Sequence, residues 1–431
     1  MSSANNSRSP LVLGKRKSSS DVPSLTLNQG SKPSKIPKIP SPTSSVTEEI
    51  PTPEASTIKT ERLRYIQSID LIQDINSIFK PFFKSFGLGV RVTLEYPNPN
   101  YNEKFYLVLA YTEASGGTEV DTEEYNPIQD ILDTIVTVSA LSISSKDRKR
   151  FGSEDDGLFR NILRAKNRKD GKAFLECIRE YNSLVKEIRG RDGFKRNCLP
   201  SQEVLEHIIY QCYARVVSPD ADNLTNYKAF SNQVYGEVNS SLIGRFIKLA
   251  NIDKRSLFVD MGCGIGNVVI QIAGQTGCKT AGIEIMELPA NLSKFQRLEF
   301  MARCEMYQLP SPKIKLVKGD FLTHPDILAL LPKADVLLIN NYVFKSSLNL
   351  KIKDLFLKLK DGCRIISLKS FAPIDFRVNS RNAGEPESIL RVEKFEYGSD
   401  SVSWTANPGQ FFIHTVDRKP LHRFLERAGS S

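Results

Sequence analysis

From about residue 256 the chain alternates short apolar runs with longer amphipathic ones, and no other feature constrains the fold as much. Residues 257–262, 280–286, 314–321, 334–341 and 363–369 read as strands, separated by helix-length stretches ending near Gln275, Gln308 and Leu359. A strand–helix–strand repeat within one sheet crosses over right-handed, so it builds a parallel sheet covered by helices on both faces. Two later runs, 390–397 and 410–417, stand close enough in sequence to pair antiparallel. The expectation is an α/β, doubly wound, Rossmann-like core of seven strands: five parallel, with an antiparallel pair modifying one edge.

Such sheets bind ligands in the crevice outside the carboxyl ends of their strands, so the strand tips carry the chemistry. The first ends in Val259-Asp260-Met261-Gly262-Cys263-Gly264-Ile265-Gly266-Asn267 and runs directly into a helix. Glycines there relieve the tight bend and let backbone approach a ligand closely. A dinucleotide fingerprint asks for Gly-x-Gly-x-x-Gly, but Asn267 stands where the third glycine belongs. The spacing is instead acid-x-Gly-x-Gly-x-Gly, with Asp260 as the acid. That pattern suits a ligand without a pyrophosphate whose positive charge gains from a carboxylate, such as S-adenosyl-L-methionine. Glu284 closes the second strand, 24 residues beyond Asp260, where a carboxylate accepts from both ribose hydroxyls. Gly319-Asp320-Phe321 closes the third, where an acid meets the adenine amino group and a ring packs on the base. Each acid alone reads as well as a cap or turn residue; three at successive tips point to a pocket. The fourth tip, Ile339-Asn340-Asn341-Tyr342-Val343-Phe344, sets an amide before aromatics. Asn340 can accept from a neutral amine while rings exclude water, or the two amides simply terminate the strand.

The rest of the 431 residues divides by composition. Residues 1–57 are rich in Ser, Pro, Thr and Asn and too poor in apolar surface to offset their ordering entropy, so they are expected to be a disordered tail. Within 1–47, seven basic residues (Arg8, Lys15, Arg16, Lys17, Lys32, Lys35, Lys38) stand against one acid, Asp21. They resemble a nuclear-import signal or a flexible arm for phosphates, with a solvated tail as the plain alternative. Residues 58–220 read as a mixed α/β and helical region. It holds a hairpin from 90–95 and 104–111 about Pro97-Asn98-Pro99-Asn100, then a helix over 129–143. Residues 145–196 carry 16 Lys/Arg against 9 Asp/Glu. The core is expected over 221–418, with 419–431 as a C-terminal tail. The net charge of +10 favours polyanionic partners. No apolar run approaches the ~20 residues of a membrane span. Seven scattered cysteines, without Cys-x-x-Cys and far from the four histidines, offer neither a zinc array nor a disulfide framework, and no metal is expected.

Taken together these pieces resemble one family, the non-SET histone-lysine methyltransferases named for disruptor of telomeric silencing. The resemblance begins at Asn232-Gln233-Val234-Tyr235-Gly236-Glu237-Val238 and continues through Phe258 to Asn267, Gly282-Ile283-Glu284-Ile285-Met286, Gly319-Asp320-Phe321 and Asn340 to Phe344. Ser370-Phe371-Ala372-Pro373 and Val402-Ser403-Trp404-Thr405 complete it, with a weaker likeness to fungal members at Glu124-Tyr125-Asn126-Pro127-Ile128. It implies methylation of a lysine on the globular face of histone H3 in nucleosomes, with S-adenosyl-L-methionine as donor, in chromatin regulation and telomeric silencing in the nucleus. By motif, it implies that Tyr235, Gly236, Glu237 and Val238 cover the methionine end of the cofactor. Phe258, Val259, Asp260, Met261, Gly262, Cys263, Gly264, Ile265, Gly266 and Asn267 would form the turn beneath it. Glu284 would hold the ribose, and Asp320 and Phe321 the adenine. Asn340 and Trp404 would line the lysine channel, with Leu242 and Phe344 as apolar wall and Phe411 near the acceptor. Phe411 stands where the family usually has Tyr, and Cys263 where it has Ser. Contacts to DNA and other histones through basic segments, and dependence on a ubiquitinated histone, are further implications. An RNA or DNA methyltransferase, or a catalytically silent nucleosome-binding module, are the rival readings. The first usually shows Asn/Asp-Pro-Pro-aromatic, and the prolines are missing here.

Overall fold

The computed structural model describes residues 64–72, 79–110, 125–224 and 236–429. The basic tail and Tyr235 lie outside these residues. In chain order, β1 (Phe79–Pro81), β2 (Arg91–Glu95), β3 (Asn102–Tyr106) and β4 (Val108–Ala110) form two antiparallel ribbons, β2 with β3 and β1 with β4. The expected hairpin is β2–β3. Its second arm breaks at buried Leu107, which donates to the Val90 carbonyl at 2.9 Å and accepts from Phe82 N–H at 2.9 Å, carrying the chain from one ribbon to the other.

Helices α1 (Pro127–Ala140), α2 (Ser145–Phe151), α3 (Gly157–Asn167), α4 (Gly171–Gly190), α5 (Gln202–Val216) and α6 (Ala221–Leu224) follow. α1 starts where Asn126 Oδ1 accepts from the Ile128 and Gln129 N–H groups, with Pro127 at the first helical position. It buries Ile128, Ile131, Leu132, Ile135 and Val138, one stripe at helical spacing.

The core begins with α7 (Ser240–Leu249) and alternates as the sequence predicts: β5 (Leu257–Met261), α8 (Asn267–Thr276), β6 (Lys279–Glu284), α9 (Glu287–Met306), β7 (Lys313–Lys318), α10 (Pro325–Leu328), β8 (Val336–Ile339), α11 (Ser346–Phe356) and β9 (Arg364–Ser367). β10 (Leu390–Tyr397) and β11 (Gly409–Val416) close the sheet, and residues 419–429 form a further helix, α12 (Lys419–Gly429). The seven strands lie in the order β10-β11-β9-β8-β5-β6-β7. β5 to β9 are parallel; β11 runs antiparallel to both β9 and β10. No described helix is long and apolar enough to cross a membrane.

Packing is continuous across residue 220. One hydrophobic cluster joins Phe83, Leu94, Ile131, Phe174 and Ile208 to Phe300, Met306 and Tyr307 of the α9 end. Buried inside the same region is an ionic network. Arg215 reaches Glu103 at 2.6 Å and Asp130 at 2.7 Å, and Arg303 reaches Glu103 at 2.6 Å and Glu299 at 2.8 Å, with Glu103, Asp130, Arg215 and Arg303 fully enclosed. Burial alone would raise the Glu103 pKa; Arg215 and Arg303 outweigh it and hold the carboxyl below its ordinary range. Tyr96 and Tyr125 add hydroxyl donors to Glu103 and Asp130 at 2.6 and 2.5 Å. Nothing in sequence announces this network, because its members come from residues 103 to 303 and each charge alone reads as surface.

Candidate active site

Four neighbouring strands, β8, β5, β6 and β7, end side by side, and their tips carry Asn340, Asp260, Glu284 and Asp320 in that spatial order. At ~4.8 Å between strands, the row spans roughly 14 Å, the reach of an extended nucleoside with a side arm. The turn after β5 is built for close approach. Gly262, Gly264 and Gly266 adopt φ of 102°, 54° and 87°, a region other residues rarely enter. A Cβ on Gly262 would meet nothing within 4 Å, so the bend faces open space rather than protein.

Asp260 is only 2% exposed, and no donor among the described residues reaches its carboxylate. Burial, with Glu284 adding repulsion, pushes its pKa up to about 8. A buried carboxylate without a partner is costly, and a cation placed beside it recovers that cost. Glu284 is anchored differently: its Oε2 accepts from Gly264 N–H at 2.9 Å and its Oε1 from Met286 N–H at 2.7 Å. Both oxygens keep acceptor capacity for a diol. Asp320 folds its own turn, Oδ1 accepting from Leu322 N–H at 2.8 Å, so the capping role and a free second oxygen coexist. A buried lone acid, a diol acceptor and an open glycine bend fit a cationic nucleoside such as S-adenosyl-L-methionine.

A short strap lies beside this turn. Val238 bridges Val402, Glu237 N–H donates to Ser403 Oγ at 2.7 Å, and Ser403 N–H returns to the Glu237 carbonyl at 2.8 Å. Gly236 is required here, since a Cβ would stand 2.6 Å from Trp404 Cε3. Asn267, in the position of the missing glycine, ties the strap to the core. Its Nδ2 donates to Glu237 at 2.8 Å, and its Oδ1 accepts from Gln296 at 2.8 Å. Thus Gly236, Glu237 and Val238 are joined to the turn and to Trp404.

The two asparagines after β8 divide their work. Asn341 is fully buried and clamps β8 to β9, accepting from Leu368 and Lys369 N–H at 3.1 and 2.8 Å and donating to the Lys369 carbonyl at 3.0 Å. Asn340 stays half-buried, its Oδ1 holding only a long 3.4 Å contact from Tyr342 N–H. Of the residues expected around the acceptor, Leu242, Phe411 and Trp404 share one cluster, whereas Phe344 packs in another, its ring 6.3 Å from Phe321. Phe411 is fully buried against Phe246 and Phe395, so it supports the wall from behind. The ring that faces Trp404 is Tyr342, at 5.5 Å and 34°. Its place two residues after Asn340 was the available signal. Among the described residues the buried Trp404 indole N–H has no partner. His414, which sequence did not single out, is buried, pushed down to about 4 by burial, and accepts from Phe371 N–H at 3.0 Å. Phe258, Val259 and Met261 fill the sheet interior, Ile265 is buried beside α9, and the Cys263 thiol is raised by burial. Among the described residues no group of His, Cys, Asp and Glu could hold a metal ion.

The family model for "Histone methylation protein DOT1" matches residues 213–416, a span containing every site residue above. The histone-lysine N-methyltransferase, H3 lysine-79 specific, of Emericella nidulans is 36% identical over 355 residues, covering 81% of this chain and 68% of that protein. The enzyme of the same description from Yarrowia lipolytica is 34% identical over 362 residues, covering 82% and 72%. The chain belongs to the DOT1 family. Among solved structures, the O-methyltransferase from Bacillus cereus in complex with SAH aligns at 15% identity and a TM-score of 0.31, over 49% of this chain and 90% of that one. Within the DOT1 frame, the row of strand-tip acids belongs to an S-adenosyl-L-methionine-dependent methyltransferase core.

Proposed function

We infer that the chain is a histone-lysine N-methyltransferase that uses S-adenosyl-L-methionine to methylate lysine-79 of histone H3. The observation that carries this is the 36% identity to an enzyme of that specificity across 81% of the chain. The acceptor is presented on the nucleosome, which sets the work in chromatin and hence in the nucleus.

Bound along the strand tips, the cofactor supplies an electrophilic methyl group on a sulfonium; the protein's residues do the rest. Asp260 holds the positive arm, Glu284 the ribose and Asp320 the adenine amino group, with Phe321 against the base. The strap from Gly236 to Val238 closes over the methionine end. Lysine is mostly protonated at neutral pH, with a reference pKa near 10.4, and a protonated amine has no lone pair to attack. The apolar wall of Leu242, Trp404 and Tyr342 favours the neutral form. Asn340, with its carbonyl oxygen nearly free, orients the amine. His414 is already an acceptor for Phe371 N–H and is a poor proton carrier near pH 7, so the displaced proton leaves to water. Alignment and water exclusion then provide most of the rate gain, up to roughly 7–11 kcal/mol.

The test offers labelled cofactor to nucleosomes, to nucleosomes whose H3 carries arginine at position 79, and to RNA. Label is expected only on H3 of the first. Equal labelling of the arginine nucleosomes, or label on RNA, would overturn the assignment.

A further inference from the structure

The structure sorts the cations of residues 145–196 into those bound internally and those left free. Arginines of the 148–150 and 189–191 stretches are held internally. Arg150 and Arg191 pair with Glu187 and Asp147, Lys186 and Arg189 with Glu95, and Arg196 with Asp192. Arg148 instead donates to the carbonyls of Ser142 and Ile143. Among the cations that no described carboxylate pairs, three arginines stand at four-residue spacing on α3 and its C-cap. Arg160, Arg164 and Arg168 are exposed, recur every fourth residue, and none has a carboxylate among the described residues within ion-pair reach; Arg160 donates to the Asp155 carbonyl. Their opposite side is the buried stripe Leu158, Ile162 and Ala165, so α3 is held firmly while its arginines face solvent.

Two explanations compete. Cations near a helix C-terminus complement its dipole, which accounts for Arg164 and Arg168 without any partner. It does not account for Arg160, which sits in the first turn at the positive end. A row of three guanidiniums spaced by ~6 Å of helical rise covers about 12 Å, enough for three or four phosphates of one DNA strand. Arginine's planar fork also suits phosphate oxygens better than a point charge.

We propose that the solvent face of α3 binds the phosphate backbone of nucleosomal DNA. This rests on the histone-methyltransferase reading, because a histone substrate is presented inside a wrap of DNA.

The experiment uses the full chain and the triple variant Arg160→Gln, Arg164→Gln, Arg168→Gln, titrated into mononucleosomes and free duplex DNA between 50 and 200 mM salt. Each phosphate contact contributes ~0.9 to the slope of log K against log salt, so losing three lowers it by about 2.7. The wild type should therefore lose about 40-fold more affinity than the variant over that range. The matching Arg→Lys triple should keep the wild-type slope, and calorimetric affinity for S-adenosyl-L-methionine should be unchanged in both, which excludes misfolding. If the glutamine triple misfolds, Arg164→Gln alone is read for a slope change near 0.9. An unchanged slope would refute the contact. Weakened nucleosome binding with unaltered binding to free DNA would refute it too, pointing to an acidic histone surface. Methyl transfer by the wild type is scored separately, so a failed enzyme reading is distinguishable from a failed contact.

Discussion

Asp260→Asn should make the cofactor-free protein more stable while weakening its hold on the cofactor, a combination that only a functional carboxylate produces. Burial pushes the Asp260 pKa up to about 8, from an ordinary 3.8. Below the ordinary value both states are protonated and the site costs nothing. Between the two values the unfolded chain ionises while the folded one keeps its proton, so stability falls steadily as pH rises. Above about 8 the full cost is present. At 1.36 kcal/mol per unit, the ceiling at pH 7 is about 4 kcal/mol, and at pH 5 about 1.6 kcal/mol. Because buried sites behave as if more polarisable than a dry interior, half of each is the expected recovery, about 2 and about 0.8 kcal/mol.

The assay is urea denaturation of cofactor-free wild type and variant at pH 5, 6 and 7. The stabilisation by asparagine should grow with pH, and a flat or inverted trend would refute the argument. Calorimetry supplies the other half. A charge-assisted hydrogen bond is worth about 1.5–3 kcal/mol, so the variant should bind S-adenosyl-L-methionine roughly 10- to 100-fold more weakly. In the wild type, affinity should rise as pH approaches 8, because the proton must leave Asp260 before a cation can take its place. Proton release on binding, read from the dependence of heat on buffer, must accompany it.

Gly264→Arg should abolish methylation of nucleosomes and cofactor binding together, since φ of 54° and the Gly264 N–H bond to Glu284 both fail there; retained turnover would break the assignment of the turn. Arg215→Met removes the only arginine paired with buried Asp130 among the described residues and leaves buried Glu103 to Arg303 alone. It should cost about 3–5 kcal/mol, read by urea denaturation, and a loss under 1 kcal/mol would contradict the picture of a tightly paired network.

The sheet was legible because its strands hold short apolar or partly alternating runs between helix-length stretches. β10 falls on residues 390–397 as read from sequence, and β5 to β9 lie within their expected ranges or a residue beyond. The strand-tip positions were legible for the same reason: Asp260, Glu284, Asp320 and Asn340 stand at places that topology brings into a row. What sequence could not show was how the side chains divide between roles. Asn340 and Asn341 are identical in type, and only the clamp of Asn341 onto Lys369 tells them apart. Phe344 and Tyr342 are both aromatic and two residues apart, yet one joins Phe321 and the other Trp404. In the basic stretch, charge counting cannot show that Arg150 and Arg191 are paired through contacts between segments some 40 residues apart.

The buried network and the site share α9, and this explains why a methyltransferase core carries so much apparatus ahead of it. Gln296, Glu299 and Arg303 lie at i, i+3 and i+7 on one buried face of that helix. Arg303 and Glu299 are fixed by Glu103 and by the Ile66 N–H and carbonyl, all from the N-terminal region. One turn away, Gln296 holds Asn267 and the Ile265 carbonyl, and Asn267 holds Glu237 of the strap. The helix also starts directly after Glu284, whose carboxylate is fixed by Met286 N–H. A register slip of α9 would therefore displace Glu284, the glycine turn and the strap at once. Apolar packing tolerates such slips cheaply, whereas two buried arginines with matched carboxylates do not, since each displaced charge would lose its partner. The ionic network is thus better understood as fixing the position of α9 than as adding stability, because comparable apolar residues would stabilise the same space at least as well.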